Sequence, residues 1–144
     1  MINCFDNEYA FLSNFYSSPF SVDGIKYPTV EHYFQAQKTL DQNERRAIAA
    51  ESTPGRAKRA GRHVHLRSDW EEVKDSVMLD GLQRKFSDSK LAEMLLETDG
   101  QELIEGTTWH DNEWGNCYCS RCRNIQGKNK LGKLLMKVRE DLKS

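Results

Sequence analysis

The chain has 144 residues, 38% hydrophobic and 30% charged with three prolines, a composition of one ordinary globular domain rather than a disordered segment. Its 21 basic and 22 acidic residues leave a formal charge of -1, which argues against coating nucleic acid through bulk charge and leaves room for a local basic pocket. No run approaches the roughly 18 apolar residues of a membrane span, and Met1-Ile2-Asn3-Cys4-Phe5-Asp6 has neither the basic nor the apolar part of an export signal. A cytoplasmic protein with no membrane partner is therefore expected, its four cysteines being reduced thiols or metal ligands rather than disulfides.

No internal repeat or linker interrupts the chain, so one domain over residues 1–144 is expected. The opening third scatters Phe5, Tyr9, Phe11, Phe15, Tyr16 and Phe20 among Ser, Asn and Pro, which suggests short strands or an irregular aromatic layer. Around Asp23-Gly24 the pattern Ser21-Val22-Asp23-Gly24-Ile25-Lys26-Tyr27 predicts a tight hairpin. Thr29 is a good N-cap for a helix from Val30 to about Thr39. A second helix is expected from Gln42 to about Glu51. Thr53-Pro54-Gly55 reads as a break, followed by a short basic helix over Arg56 to Arg62. Asp69 can cap a long amphipathic helix through Trp70, Val73, Val77, Met78 and Leu82. Ser87-Asp88 opens another, with Leu91 and Met94-Leu95-Leu96. Glu102 to Gly106 reads as a short strand, and Asn129 to about Leu142 as the last helix. The predicted fold class is α+β, helix-rich, with a small antiparallel sheet.

Five groups of residues can carry chemistry. Glu31 and Lys38 stand seven apart on the first helix, about 20° from each other around its axis, so both leave one face. A carboxylate and an amine converging on a pocket can serve as acid/base and as an imine-forming nucleophile; two solvated surface charges are the plainer alternative. The run Glu105 to Asn116 crowds Trp109, His110, Asp111, Glu113 and Trp114 between glycines, which suits a stacking wall beside a carboxylate, or else a tryptophan-anchored turn. Gly127-Lys128-Asn129-Lys130-Leu131-Gly132-Lys133 precedes a helix N-terminus and can meet a phosphate, without the spacing of a nucleotide-triphosphate loop; Gly132 can equally serve close helix packing. Arg56, Arg59 and Arg62, with Lys58 beside them, form a basic row that reads first as a solvated face. Cys117, Cys119 and Cys122 have near-metal spacing. His110, Cys4 or His63 is available as a fourth ligand to a structural zinc. A closed thiolate site of that kind leaves no open position, so it is not read as catalytic.

These stretches resemble one family. Phe11-Leu12-Ser13-Asn14-Phe15-Tyr16, then Tyr27-Pro28-Thr29-Val30-Glu31-His32-Tyr33-Phe34-Gln35-Ala36-Gln37-Lys38, are similar to motifs of the YbiA-like, or NADAR, family. So are Met78 to Phe86, Trp109 to Gly115 and Gly127 to Met136, in the same order over about residues 5 to 140. Only the Cys117–Cys122 segment maps poorly onto a common family core. The resemblance implies an α+β N-glycosidase that needs no cofactor for catalysis. Its implied substrates are phosphoribosylamino-pyrimidine intermediates of riboflavin synthesis or, alternatively, ADP-ribose on guanine in DNA. The catalytic residues it implies are Glu31, Lys38 and Asp111. Asn14, Phe15, Trp109 and Trp114 would line the pocket, with Lys128, Asn129 and Lys130 on the phosphate. Two rival readings remain: a binding module that holds ADP-ribose or NAD without cutting it, and a zinc-dependent interaction domain built on the three clustered cysteines. Oligomeric state is not encoded in any of these features.

Overall fold

A central buried helix organises the middle of the chain. The computed structural model describes residues 1–144, which pack as two compact units, Asn14–Lys85 and Met1–Ser13 with Phe86–Ser144.

In the unit Asn14–Lys85, β1 (Phe20–Val22) and β2 (Ile25–Tyr27) form an antiparallel hairpin that pairs Phe20 with Tyr27 and Val22 with Ile25. Asp23 and Gly24 both take positive φ, +52° and +79°, the backbone of a two-residue turn whose twist matches the strands. Thr29 then caps α1 (Val30–Ala36), its side chain accepting from the His32 N–H. All seven residues of α1 are buried, because α2 (Gln42–Ala49), α3 (Pro54–Ala60) and α4 (Trp70–Lys85) all contact it. Its apolar side packs Tyr33 and Ala36 with Ile25, Tyr27, Ile48 and Ala57. Tyr27 and Tyr33 meet edge to face at 5.3 Å.

Two helix boundaries and one cap differ from expectation. The first helix stops at Ala36 rather than Thr39, because the Lys38 and Thr39 N–H groups turn back to the carbonyls three residues earlier. The third begins at Pro54 rather than Arg56: Thr53 caps it, and proline at the first helical turn sacrifices no hydrogen bond. The Asp69 carboxylate is held by Arg67 at 2.6 and 3.1 Å, and the residue meets α4 through its carbonyl, which accepts from Glu72 and Val73. The buried positions of α4 include Lys85 beside Trp70, Met78, Gly81 and Leu82, so its inner face is not purely apolar.

In the other unit, Ile2 bridges Leu103 in parallel, and β3 (Gly106–Thr107) pairs with β4 (Asn116–Cys117), also in parallel. The strand expected over 102–106 is thus split, and a two-residue parallel pair joins the antiparallel hairpin in the strand inventory. Asp88 caps α5 (Ser89–Leu96) with a carboxylate that accepts from Lys90 and Leu91. Helix α6 (Lys130–Leu142) buries Leu131, Leu135 and Val138, and its Arg139 donates to the Thr98 carbonyl and hydroxyl, tying it to the residues after α5. No helix is long and apolar enough to cross a membrane.

Candidate functional site

A buried helix with polar residues on it must satisfy them or use them. His32 is satisfied. Its Nε2–H donates to the Glu51 carbonyl at 3.0 Å and its Nδ1 faces the Thr29 hydroxyl at 2.8 Å, so both ring nitrogens are spent on structure. Glu31 and Gln35, one turn apart, behave differently. Gln35 Nε2 donates to Glu31 Oε2 at 2.8 Å, and the Glu31 backbone N–H donates to the Asn14 carbonyl at 3.1 Å. Asn14 Nδ2 points to Met78 Sδ at 3.4 Å. What remains is the pair of amide oxygens, Asn14 Oδ1 and Gln35 Oε1, both buried and both without a hydrogen-bond donor. A buried acceptor left bare costs about 1–3 kcal/mol, and these two belong to residues that meet Glu31 at different places, Gln35 at its carboxylate and Asn14 at its backbone N–H.

Lys38 lies beyond the helix end, yet it still feels Glu31. Burial pushes its ammonium below the usual lysine range, the Glu31 charge opposes that shift, and the nearby Arg62 and Lys58 charges reinforce it. Lys58 on α3 and Arg62 just beyond it therefore act on Lys38 through their charge, and Arg56, Arg59 and Arg62 are all exposed. Gly61 follows α3 where Gln35 approaches so closely that a Cβ would overlap its amide. Gln35 and Gly61 are the residues that sequence reasoning missed. Gln35 lies four positions from Glu31 on one helix face, which is the spacing that could have marked it.

The second group of expected residues lies in the other unit. Asp111 Oδ1 accepts from the Glu113 and Trp114 N–H groups at 3.1 and 3.0 Å, so half of its carboxylate shapes the turn. Trp109 is 57% exposed and Trp114 half-buried, with the Lys130 ammonium 5.5 Å from the Trp114 ring centre. Phe15, in the unit with Glu31, is also exposed, at 46%. Lys128 and Lys130 both pair with Glu113, at 3.0 and 2.7 Å.

At the start of α6 the amides of Lys128, Asn129, Lys130 and Leu131 donate to the carbonyls of Asn112, Gly115, Glu113 and Trp114. These amides are therefore committed to the loop, and any charge for a phosphate here comes from the lysine side chains. Asn129 takes φ +49° and does not cap the helix with its side chain; it accepts from the Glu105 N–H at 3.0 Å and donates to the Leu103 carbonyl at 2.9 Å. Gly132 lies against that same Leu103 carbonyl, the close-packing role its position suggested.

Within the same loop, His110 Nδ1 sits 3.3 Å from both Cys119 Sγ and Cys122 Sγ, and the His110 N–H donates to Cys117 Sγ at 3.3 Å. The four potential ligand atoms of His110, Cys117, Cys119 and Cys122 lie within 4.8 Å of one another, a set able to hold a metal ion. Burial opposes ionisation of Cys117, but donors from Cys119 and the His110 backbone outweigh it and bring the thiol down to about 6. Burial pushes Cys122 up. All four cysteines are free thiols, and Cys4 is exposed outside the cluster.

Comparison with known proteins adds a consistent set of relatives. The NADAR domain family model matches residues 3–143. The N-glycosidase YbiA of Shigella flexneri is 44% identical over 139 residues, covering 94% of this chain and 83% of that protein. N-glycosidase Npun_R5314 of Nostoc punctiforme is 36% identical, over 94% of this chain and 87% of its own length. The riboflavin biosynthesis protein VVA0006 of Vibrio vulnificus is 34% identical, with the match covering 95% of this chain and 36% of that protein. The NMR structure of Escherichia coli YbiA superposes with a TM-score of 0.82 at 42% identity, covering 99% of this chain and 84% of that one.

Proposed function

We propose, because the chain belongs to the NADAR domain family, that its N-glycosidase activity acts on a base or amine joined to a phosphorylated ribose. The substrate class we favour is the phosphoribosylamino-pyrimidine of riboflavin synthesis, a small molecule. Two names support that choice: one relative is called a riboflavin biosynthesis protein, and others are called N-glycosidases. The single observation that carries the reading is the pair of bare buried acceptors, Asn14 Oδ1 and Gln35 Oε1, on residues hydrogen-bonded to Glu31. Ribose hydroxyls are donors of the kind these oxygens lack.

The chemistry follows from the residue types. Lys38, its ammonium destabilised by burial, supplies a neutral amine more readily than a surface lysine. The Nζ lone pair attacks C1′, the C1′–N bond breaks, and the leaving nitrogen takes the electron pair and a proton from a carboxylic acid. Glu31 fills that role beside Lys38, and Asp111 is the further carboxylate that the family resemblance assigns to the reaction. Breaking C1′–O4′, with a proton to O4′, then opens the sugar as an imine. Water adds at C1′ and expels Lys38, leaving ribose 5-phosphate and the free amine. No cofactor enters this sequence. Lys58 and Arg62, the cations that act on Lys38, suit a sugar phosphate. Lys128 and Lys130 keep the phosphate role given by the resemblance as part of the same proposal, as Phe15, Trp109 and Trp114 keep that of stacking on the base; Asn129, whose amides are spent on Gly115, Glu105 and Leu103, holds the start of α6 instead.

The test is to incubate the reduced protein with a phosphoribosylamino-pyrimidine, with an oligonucleotide carrying ADP-ribosylated guanine, and with ADP-ribose alone. Mass spectrometry then follows released base and sugar. Cleavage of the first is expected. Cleavage of only the second reassigns the substrate to modified DNA, and binding without cleavage of any makes the chain a recognition module.

A further inference from the structure

We propose that His110 Nδ1 and the thiolates of Cys117, Cys119 and Cys122 form a tetrahedral zinc site that pins the 109–122 loop. Tetrahedral bonds of about 2.3 Å to sulfur and 2.0–2.1 Å to nitrogen place the ligand atoms of such a site roughly 3.5–3.8 Å apart. Two of the nitrogen–sulfur separations here are already 3.3 Å, and every pair lies within 4.8 Å, so closing the site requires only small side-chain movements.

The loop is built around this convergence. Cys117 ends β4, Cys119 precedes a short 3-10 turn at Ser120–Cys122, and the Cys122 N–H returns to the Cys119 carbonyl at 3.1 Å. His110 holds φ +67°, an uncommon left-handed backbone for a non-glycine residue. The backbone around the thiols is itself anchored: Asn112 Oδ1 accepts from the Cys117 N–H at 2.8 Å, and the His110 N–H donates to Cys117 Sγ. Outer hydrogen bonds to ligand sulfurs are the usual support of a thiolate site. One histidine and three cysteines make a full coordination sphere with no open position, so the ion is structural and not the agent of bond cleavage. It cross-links residues on both sides of the Asp111 turn. Its effect on turnover rests on the glycosidase reading; its existence does not.

The experiment measures metal directly. The full chain, purified reduced from zinc-supplemented medium, should carry about one zinc ion per molecule. Iodoacetamide should then label Cys4 alone, and all four cysteines after chelation. Cobalt replacement should give the sulfur-to-metal charge-transfer band and the intense visible absorption of a tetrahedral thiolate site. Cys119→Ser and His110→Ala should each weaken zinc binding by more than about tenfold, the least that even a supporting residue costs, while Cys4→Ser leaves it unchanged. Zinc far below one per chain, labelling of all four cysteines in zinc-treated protein, or loss of metal in Cys4→Ser would overturn the site. The labelling arm uses the unmutated protein, so it decides the matter even if a variant fails to fold. A glycosidase that proves inactive but holds zinc would refute the functional reading and leave the metal site standing.

Discussion

Gln35 donates its amide hydrogen to the Glu31 carboxylate at 2.8 Å while its own oxygen, buried, accepts nothing. In the proposed reaction this glutamine orients the acid through that bond and leaves its oxygen for a substrate donor. Glu31→Gln should lower kcat by about 10²–10⁴-fold, the usual range for removing a general acid/base. Gln35→Ala should act mainly on KM through the lost acceptor. Circular dichroism and thermal melting of both variants would show a folded protein, and steady-state kinetics would show whether the two effects separate as stated.

In the proposed reaction Lys38 sets the pH dependence. Burial lowers its pKa below the usual lysine range near 10.5, and the step needs one proton on the Lys38–Glu31 pair (neutral amine with protonated acid), so kcat should fall as pH rises through that depressed value. Lys58→Ala and Arg62→Ala each remove a cation that reinforces the shift. Each should move the falling limb to higher pH, and a rate–pH series on the three proteins measures it. Stability carries the matching sign. Between the folded and unfolded pKa values of Lys38 the unfolded chain binds more protons, so this lysine makes the fold more stable as pH rises through that window.

Gly61 and Gln35 form a coupled pair. A Cβ at Gly61 overlaps the Gln35 amide, so Gly61→Ala must displace that side chain, at a cost of about 1–3 kcal/mol for overpacking. Gly61 has an ordinary helical φ of -60°, so backbone strain adds nothing. Denaturant unfolding of Gly61→Ala, Gln35→Ala and the double variant should show strong non-additivity, with the double variant recovering much of the loss.

Asn129 ties the start of α6 to residues 103–105 with two side-chain hydrogen bonds at a positive φ. Asn129→Ala leaves the Leu103 carbonyl and Glu105 amide without these partners and strains the backbone, and it should lose about 2–4 kcal/mol of stability by chemical denaturation. Asn129→Gly relieves the backbone part and should lose less.

Local signals that act over a few residues were readable in the sequence. Asp23-Gly24 made its hairpin, Thr29 its cap and Gly132 its close contact, because turn and cap chemistry depends on neighbours alone. The cysteine spacing likewise brought His110 to three thiols. Signals that depend on packing were less readable. The helix carrying Glu31 ends before Lys38, and no periodicity shows that its polar residues are buried as deeply as its apolar ones. The amides at the α6 N-terminus look available to an anion in sequence, yet the 112–115 carbonyls take them. That the buried Gln35 oxygen lacks a hydrogen-bond partner is likewise visible only in three-dimensional packing.

The most direct measurement is reductive trapping. Borohydride added during turnover of a phosphoribosylamino-pyrimidine should leave a phosphopentosyl adduct on the protein, found by peptide mass spectrometry on Lys38 and missing in Lys38→Ala. Substrate turnover with no adduct, or an adduct on a different lysine, would contradict the assignment of Lys38 as the group that attacks the anomeric carbon.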